Sequence, residues 1–159
     1  MIEYVLIAVP VLLLPTLLIF VKRKPRPEGV IVEYGIRFNP APAFTVEDIT
    51  KAVQAFDSVW FSAYPEHKRA FLKAAKKLDI EWVNKKITHP QGHVVARMTA
   101  TQHMEIWIGP KLPGNRRNII YTGLLDQLIK LTMVVNNIVP NTDTPTVRAL
   151  VEEMKSRLG

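Results

Sequence analysis

The sequence predicts an α+β protein: an N-terminal transmembrane helix, then a small mixed or antiparallel sheet packed with about four helices. Three observations carry this prediction. Residues 4–21 form a run of 18 positions without a charge. The rest of the chain alternates between runs with strand and helix periodicity, and breaks rich in Pro and Gly separate those runs. Of 159 residues, about 130 remain for a folded domain, enough for one core. The expected division is an anchor at 1–21, a basic, Pro-containing linker at 22–29 and a domain at 30–159.

As a helix the uncharged run covers roughly 27 Å at 1.5 Å per residue, close to the ~30 Å of a bilayer's hydrocarbon. Pro10 and Pro15 interrupt it, but transmembrane helices tolerate proline. A cleaved secretory signal needs basic residues before a shorter apolar run. Here Glu3 precedes the run, and Lys22, Arg23, Lys24 and Arg26 follow it. Basic flanks stay on the cytoplasmic side, so the expected topology places the N-terminus outside and the domain in the cytoplasm. The same cations hold anionic headgroups. Glu3 and the four-residue basic flank account for +3 of the net +7, which leaves +4 for residues 27–159.

Within the domain, residues 30–38 are rich in Val, Ile, Tyr and Phe and read as a strand ended by Asn39-Pro40-Ala41-Pro42. Thr45 with Asp48 three positions on makes a capping box, and Ile49, Val53, Phe56 and Trp60 follow at helical spacing. Pro65 separates this helix from a second one, whose apolar face is Phe71, Ala74, Ala75 and Leu78. Residues 80–86, 94–100 and 104–108 read as strands, with turns at 89–92 and 109–114. Ile120, Leu124, Leu128, Leu131 and Val135 mark a long apolar helix. Thr144 before Pro145 opens a last helix with Val147, Leu150, Val151, Met154 and Leu158 on one face.

Catalytic signatures are scarce. The chain has no cysteine, which removes disulfides, thiolate nucleophiles and Cys metal ligands. It has no Gly-rich phosphate loop, no Gly-x-Ser-x-Gly elbow and no dinucleotide fingerprint. Of its four histidines, His89 and His93 have the spacing of a helical metal pair, but Pro90 and Gly92 between them exclude a regular helix. A metal site would therefore have to assemble from turns, with His89, His93, His103 and Glu105 as its candidate ligands. Polar turn histidines without a metal are the commoner arrangement, and no cofactor is expected.

The second helix and the strand after it hold Lys68, Arg69, Lys73, Lys76, Lys77, Lys85 and Lys86 against Glu66, Asp79 and Glu81, a local excess of +4. Such a face suits phosphates, either of anionic lipid or of nucleic acid. It lacks the interleaved aromatic residues of a single-strand binder, and the domain sits beside an anionic leaflet. Lipid contact or simple solvation is therefore favoured over nucleic acid.

The order of elements, with the strand MEIWIG before the long helix TGLLDQLIKL, resembles the layout of a minimal zincin metallopeptidase domain over residues 30–139. In that family the long helix carries His-Glu-x-x-His, two zinc ligands and a general base. The matching positions here are Asp126, Gln127 and Lys130. Lys130 is a cation where a ligand must donate electrons, and Gln127 cannot take a proton from water. The resemblance thus implies a zincin-like fold used without zinc. Alternatively, the three residues are the polar side of an ordinary core helix.

Together these features lead to the expectation of a single-pass, membrane-anchored, non-catalytic scaffold that binds a protein partner or its own kind, as a phage or virion membrane protein would. The other readings are a membrane-anchored metallohydrolase built on the histidines and a membrane-attached nucleic-acid-binding protein.

Overall fold

A computed structural model of the chain describes residues 29–41, 44–83, 94–109 and 116–159. The expected span at residues 4–21 and its flank of Lys22, Arg23, Lys24 and Arg26 lie outside the described residues, as do Lys85, Lys86, His89 and His93. Among the described residues, no helix is long and apolar enough to cross a membrane.

The single strand expected at residues 30–38 is two. Val30–Ile31 (β1) and Arg37–Asn39 (β2) pair antiparallel across a tight turn. Tyr34 (φ 62°) and Gly35 (φ 75°) both adopt left-handed backbone in that turn. Glycine does this without steric penalty; Tyr34 does so with its ring edge-on against Phe71, at 6.3 Å between centroids. The aromatic residue that made the run look continuous thus forms the turn that divides it.

Val46–Ala63 (α1) begins at the expected capping box. The Asp48 N–H donates to Thr45 Oγ1 (3.3 Å), and the Thr45 N–H donates to Asp48 Oδ2 (2.7 Å). The second oxygen of Asp48 accepts from the Tyr121 hydroxyl at 3.0 Å, which ties the start of α1 to a helix 73 residues away. After a 3-10 turn at Pro65–His67 comes Lys68–Ala75 (α2). Leu78, expected on the apolar face of that helix, instead opens Leu78–Trp82 (β3). There it is 1% exposed in the middle of the sheet, a deeper burial than a helix end offers.

Val94–Met98 (β4) and Met104–Ile108 (β5) form a hairpin, followed by Arg116–Val135 (α3) and Pro145–Ser156 (α4). Thr144 caps α4, accepting the Val147 N–H at 3.2 Å. The sheet order is β1-β2-β3-β5-β4. Strands β2, β3 and β5 run parallel, while β1 and β4 are antiparallel to their neighbours, so the sheet is mixed. Leu78, Ile80, Ile106 and Ile108 join the helices in one core. Alternation along a strand turns Asp79, Glu81, Glu105 and Trp107 to the opposite face.

Helix α3 organises that core. Ile120, Leu124, Leu125, Leu128 and Ile129 are at most 2% exposed, and the helix touches α1, α2, α4, β4 and β5. Its approach to β4 depends on a glycine: a Cβ on Gly123 would lie 2.7 Å from Cγ2 and 2.9 Å from Cβ of Val94. Alanine normally stabilises a helix by about 1 kcal/mol over glycine, but overfilling a packed site costs about 1–3 kcal/mol. Gly123→Ala should therefore lower stability by roughly 1–2 kcal/mol in urea unfolding. Combined with Val94→Ala, it should cost less than the sum of the two single changes, because the shortened partner gives the new methyl room.

Candidate functional site

Three surfaces hold the chemistry-bearing side chains. The first is the stripe of α3 that passes β4. Asp126 and Gln127 follow Gly123 by three and four positions, and Lys130 follows Asp126 by four, so all lie along one side of the helix. Lys130 Nζ is 2.7 Å from Asp126 Oδ2, and Gln127 Nε2 donates to the same oxygen at 3.2 Å. The carboxylate is thus engaged by both of its motif neighbours. The pair is about one-third exposed, where such contacts contribute only a few tenths of a kcal/mol. Its chemical effect is larger: the stripe presents an internally neutralised cation and an amide.

The second surface is the sheet face turned away from the helices. Arg97 Nε lies 2.9 Å from Glu105 Oε2, and the Arg97 guanidinium stacks 4.0 Å from the centre of the Trp107 ring. Glu105 is 2% exposed. His103 Nδ1 is 3.9 Å from Asp79 Oδ2, and Arg37 Nε is 3.7 Å from Asp79 Oδ1. Of the four candidate metal ligands, His103 and Glu105 are described, and both face acid–base partners on neighbouring strands. Among the described residues, no group of three or more His, Asp or Glu side chains is arranged to hold a metal ion.

The third surface surrounds α2, and here the basic residues divide. Lys68 turns to α1, pairing with Asp57 Oδ1 at 2.9 Å and lying 5.7 Å from the Phe61 ring centre. Arg69, Lys73, Lys76 and Lys77 are exposed. Among the described residues, Lys73, Lys76 and Lys77 form no ion pair, whereas Asp79, counted against them in the sequence, lies on the far face of the sheet with Arg37. The cationic character of α2 is therefore stronger than its local charge sum indicates.

Helix α2 stands between two depressions. One, of about 600 Å³, runs between α2, α3 and the turn end of the β4–β5 hairpin. Leu131, Ala74 and Met104 line it, with Lys73, Lys77 and Met98 at its exposed edge. The other, of about 660 Å³, lies on the opposite flank, bounded by Tyr34, Gly35, Leu72, Lys73 and Lys76. Sequence reasoning found the lysines and missed both depressions. Met98, Met104 and Val134 come from elements far from α2 in the chain, and the turn that brings Tyr34 there was read as strand. Comparison of the chain with protein-family models, curated proteins and solved structures finds no match.

Tyr34 also connects this surface to α1. Burial, and then the hydrogen bond to Asp57 and the charge on that carboxylate, raise its hydroxyl above the ordinary tyrosine range. A raised pKa means that the folded state favours the neutral phenol. Its contribution to stability is therefore complete below the unfolded value of about pH 10 and is lost as the pH climbs past it. Resistance to urea should fall as the pH climbs above about 10, less steeply in Tyr34→Phe, and an absorbance titration of the unaltered chain should show a late-ionising phenol that is missing from Tyr34→Phe.

Proposed function

We propose that this chain is a single-pass, membrane-anchored, non-catalytic binding protein whose zincin-like domain tethers a protein assembly to a membrane, as a virion or phage membrane protein would. The observation that carries the non-catalytic reading is the Asp126–Lys130 pair at 2.7 Å, with Gln127 on the same carboxylate oxygen. At the positions where a zincin helix sets two neutral ligands and a base, this helix closes a salt bridge upon itself. A bound zinc ion would have to displace Lys130 and would find no electron pair there. Support for a zincin-like layout comes from the antiparallel edge strand β4 lying alongside α3 at Gly123. Support for the anchor comes from the 18 uncharged residues followed by Lys22, Arg23, Lys24 and Arg26.

The metallohydrolase reading loses ground because Glu105 is buried against Arg97. Among the described residues, a nucleic-acid role would rest on the α2 surface, which presents exposed lysines beside aliphatic depressions and no row of stacking aromatics.

Alkaline carbonate extraction tests the anchor. The full chain should stay with the membrane pellet, and Leu12→Arg/Leu13→Arg, at about 2.5–3.5 kcal/mol per mid-span arginine, should move it to the supernatant. Release of the unaltered chain would remove the anchor from the reading. Metal analysis of the purified full chain should find no stoichiometric transition metal, and cross-linking in membranes should recover a protein partner or a second copy.

A further inference from the structure

The surface around α2 has two properties that rarely coincide on a surface meant only for water. Lys73, Lys76 and Lys77 are exposed and, among the described residues, unpaired. Beside them lie two depressions, and Lys73 borders both. No acidic side chain is among the described residues lining either one. Large apolar side chains stand exposed on the same side: Met98 is 62% exposed and Val134 51%, and both line the depression between α2 and α3. Past the end of α3 the chain goes on to expose Ile138 and Val139.

Cations with long aliphatic stems placed around exposed apolar side chains match the boundary of an anionic bilayer. The ammonium groups reach phosphates and carboxylates of the headgroups, while Met98 and Val134 enter the acyl boundary. The distance along the chain fits as well. Eight residues, 22–29, separate the uncharged segment from the domain; even fully extended they span no more than about 29 Å. Lysine attraction fades over a screening length of about 8 Å, so a domain on so short a lead repeatedly enters the range where it acts.

We propose that the α2 surface, with Lys73, Lys76, Lys77, Met98 and Val134, docks onto the anionic leaflet of the membrane that holds the N-terminal segment, setting the orientation of the domain. The proposal rests on the membrane-anchored reading and adds a lipid class and a face to it. The opposite side of the sheet, where Arg37, Asp79, Arg97 and Glu105 neutralise one another, is then turned from the bilayer toward the tethered assembly.

The absence of cysteine makes a site-specific test direct. Met98→Cys in the full chain, carrying an environment-sensitive fluorophore, is reconstituted into vesicles of phosphatidylcholine alone and of phosphatidylcholine with phosphatidylserine. Emission should shift to the blue only in the phosphatidylserine vesicles, and the shift should reverse at high salt. A label at Ala149→Cys, exposed on α4, should not shift. Each lysine near an anionic leaflet favours the docked state about five-fold, so Lys73→Gln/Lys77→Gln should lower the ratio of docked to undocked domain about thirty-fold. Circular dichroism should show that all three altered chains remain folded.

Equal emission in the two vesicle types, a shift insensitive to salt and to Lys73→Gln/Lys77→Gln, or a shift of the Ala149→Cys label alone would overturn the proposal. Retention of the chain by the phosphatidylcholine vesicles reports the anchor separately. Loss from those vesicles defeats the anchored reading, whereas retention without a phosphatidylserine-dependent shift defeats the docking face only.

Discussion

Helix α3 passes so close to the edge strand β4 that no side chain fits between them at Gly123, and the rest of the domain depends on that approach. With α3 held against the sheet margin, its buried leucines and isoleucines reach α1 and α4 as well as β4 and β5, and the helix becomes the common wall of the core. Shape carries this arrangement more than polarity does. The apolar side chains of α3 drive burial in any direction, whereas the missing Cβ decides which neighbour comes nearest. The hydrogen bond from Tyr121 to Asp48 then places α1 along α3, so a carboxylate that caps one helix also positions another.

The same placement sorts the charges. Outward-facing strand residues meet across the sheet and pair, Arg37 with Asp79 and Arg97 with Glu105, leaving that face almost neutral. Asp126 and Lys130 cancel one turn apart on α3. Lys73 stands on a short helix whose other side is fixed in the core by Phe71 and Ala75, and Lys76 and Lys77 follow in the turn at its end, with no carboxylate beside them among the described residues. A net excess spread along the sequence is thereby gathered on one side. Depressions flank it, one against α3 and the turn of the β4–β5 hairpin, the other against the turn at Tyr34 and Gly35.

Much of the secondary structure was legible from local rules. The Thr45–Asp48 box and the Thr144–Pro145 start act through atoms three residues apart, so the signal and the structure share the same few positions. The periodic apolar residues of α1 and α3 stand where a 3.6-residue repeat puts them, because one face of each helix meets the core. Failures came where neighbours far along the chain decide. Residues 30–38 look like one strand until Tyr34 finds Phe71 and turns the backbone. Leu78 fits a helical stripe until β2 and β5 offer it a place between them. The candidate site shows the same division: the lysines were visible as a cluster, but which of them point outward depended on Asp57 capturing Lys68.

By itself the sequence determined the α+β class, the order of most of the elements and the helix caps at Thr45 and Thr144. Each of these follows from residue type at short spacing, where covalent geometry keeps interacting atoms together. Tertiary structure alone decided the mixed strand order, the contact at Gly123, the ion pairs that silence the outer sheet face and the apolar depressions beside the lysines of α2. These arise between segments tens of residues apart, whose meeting is set by how the core fills space, and nothing in a local spacing records that.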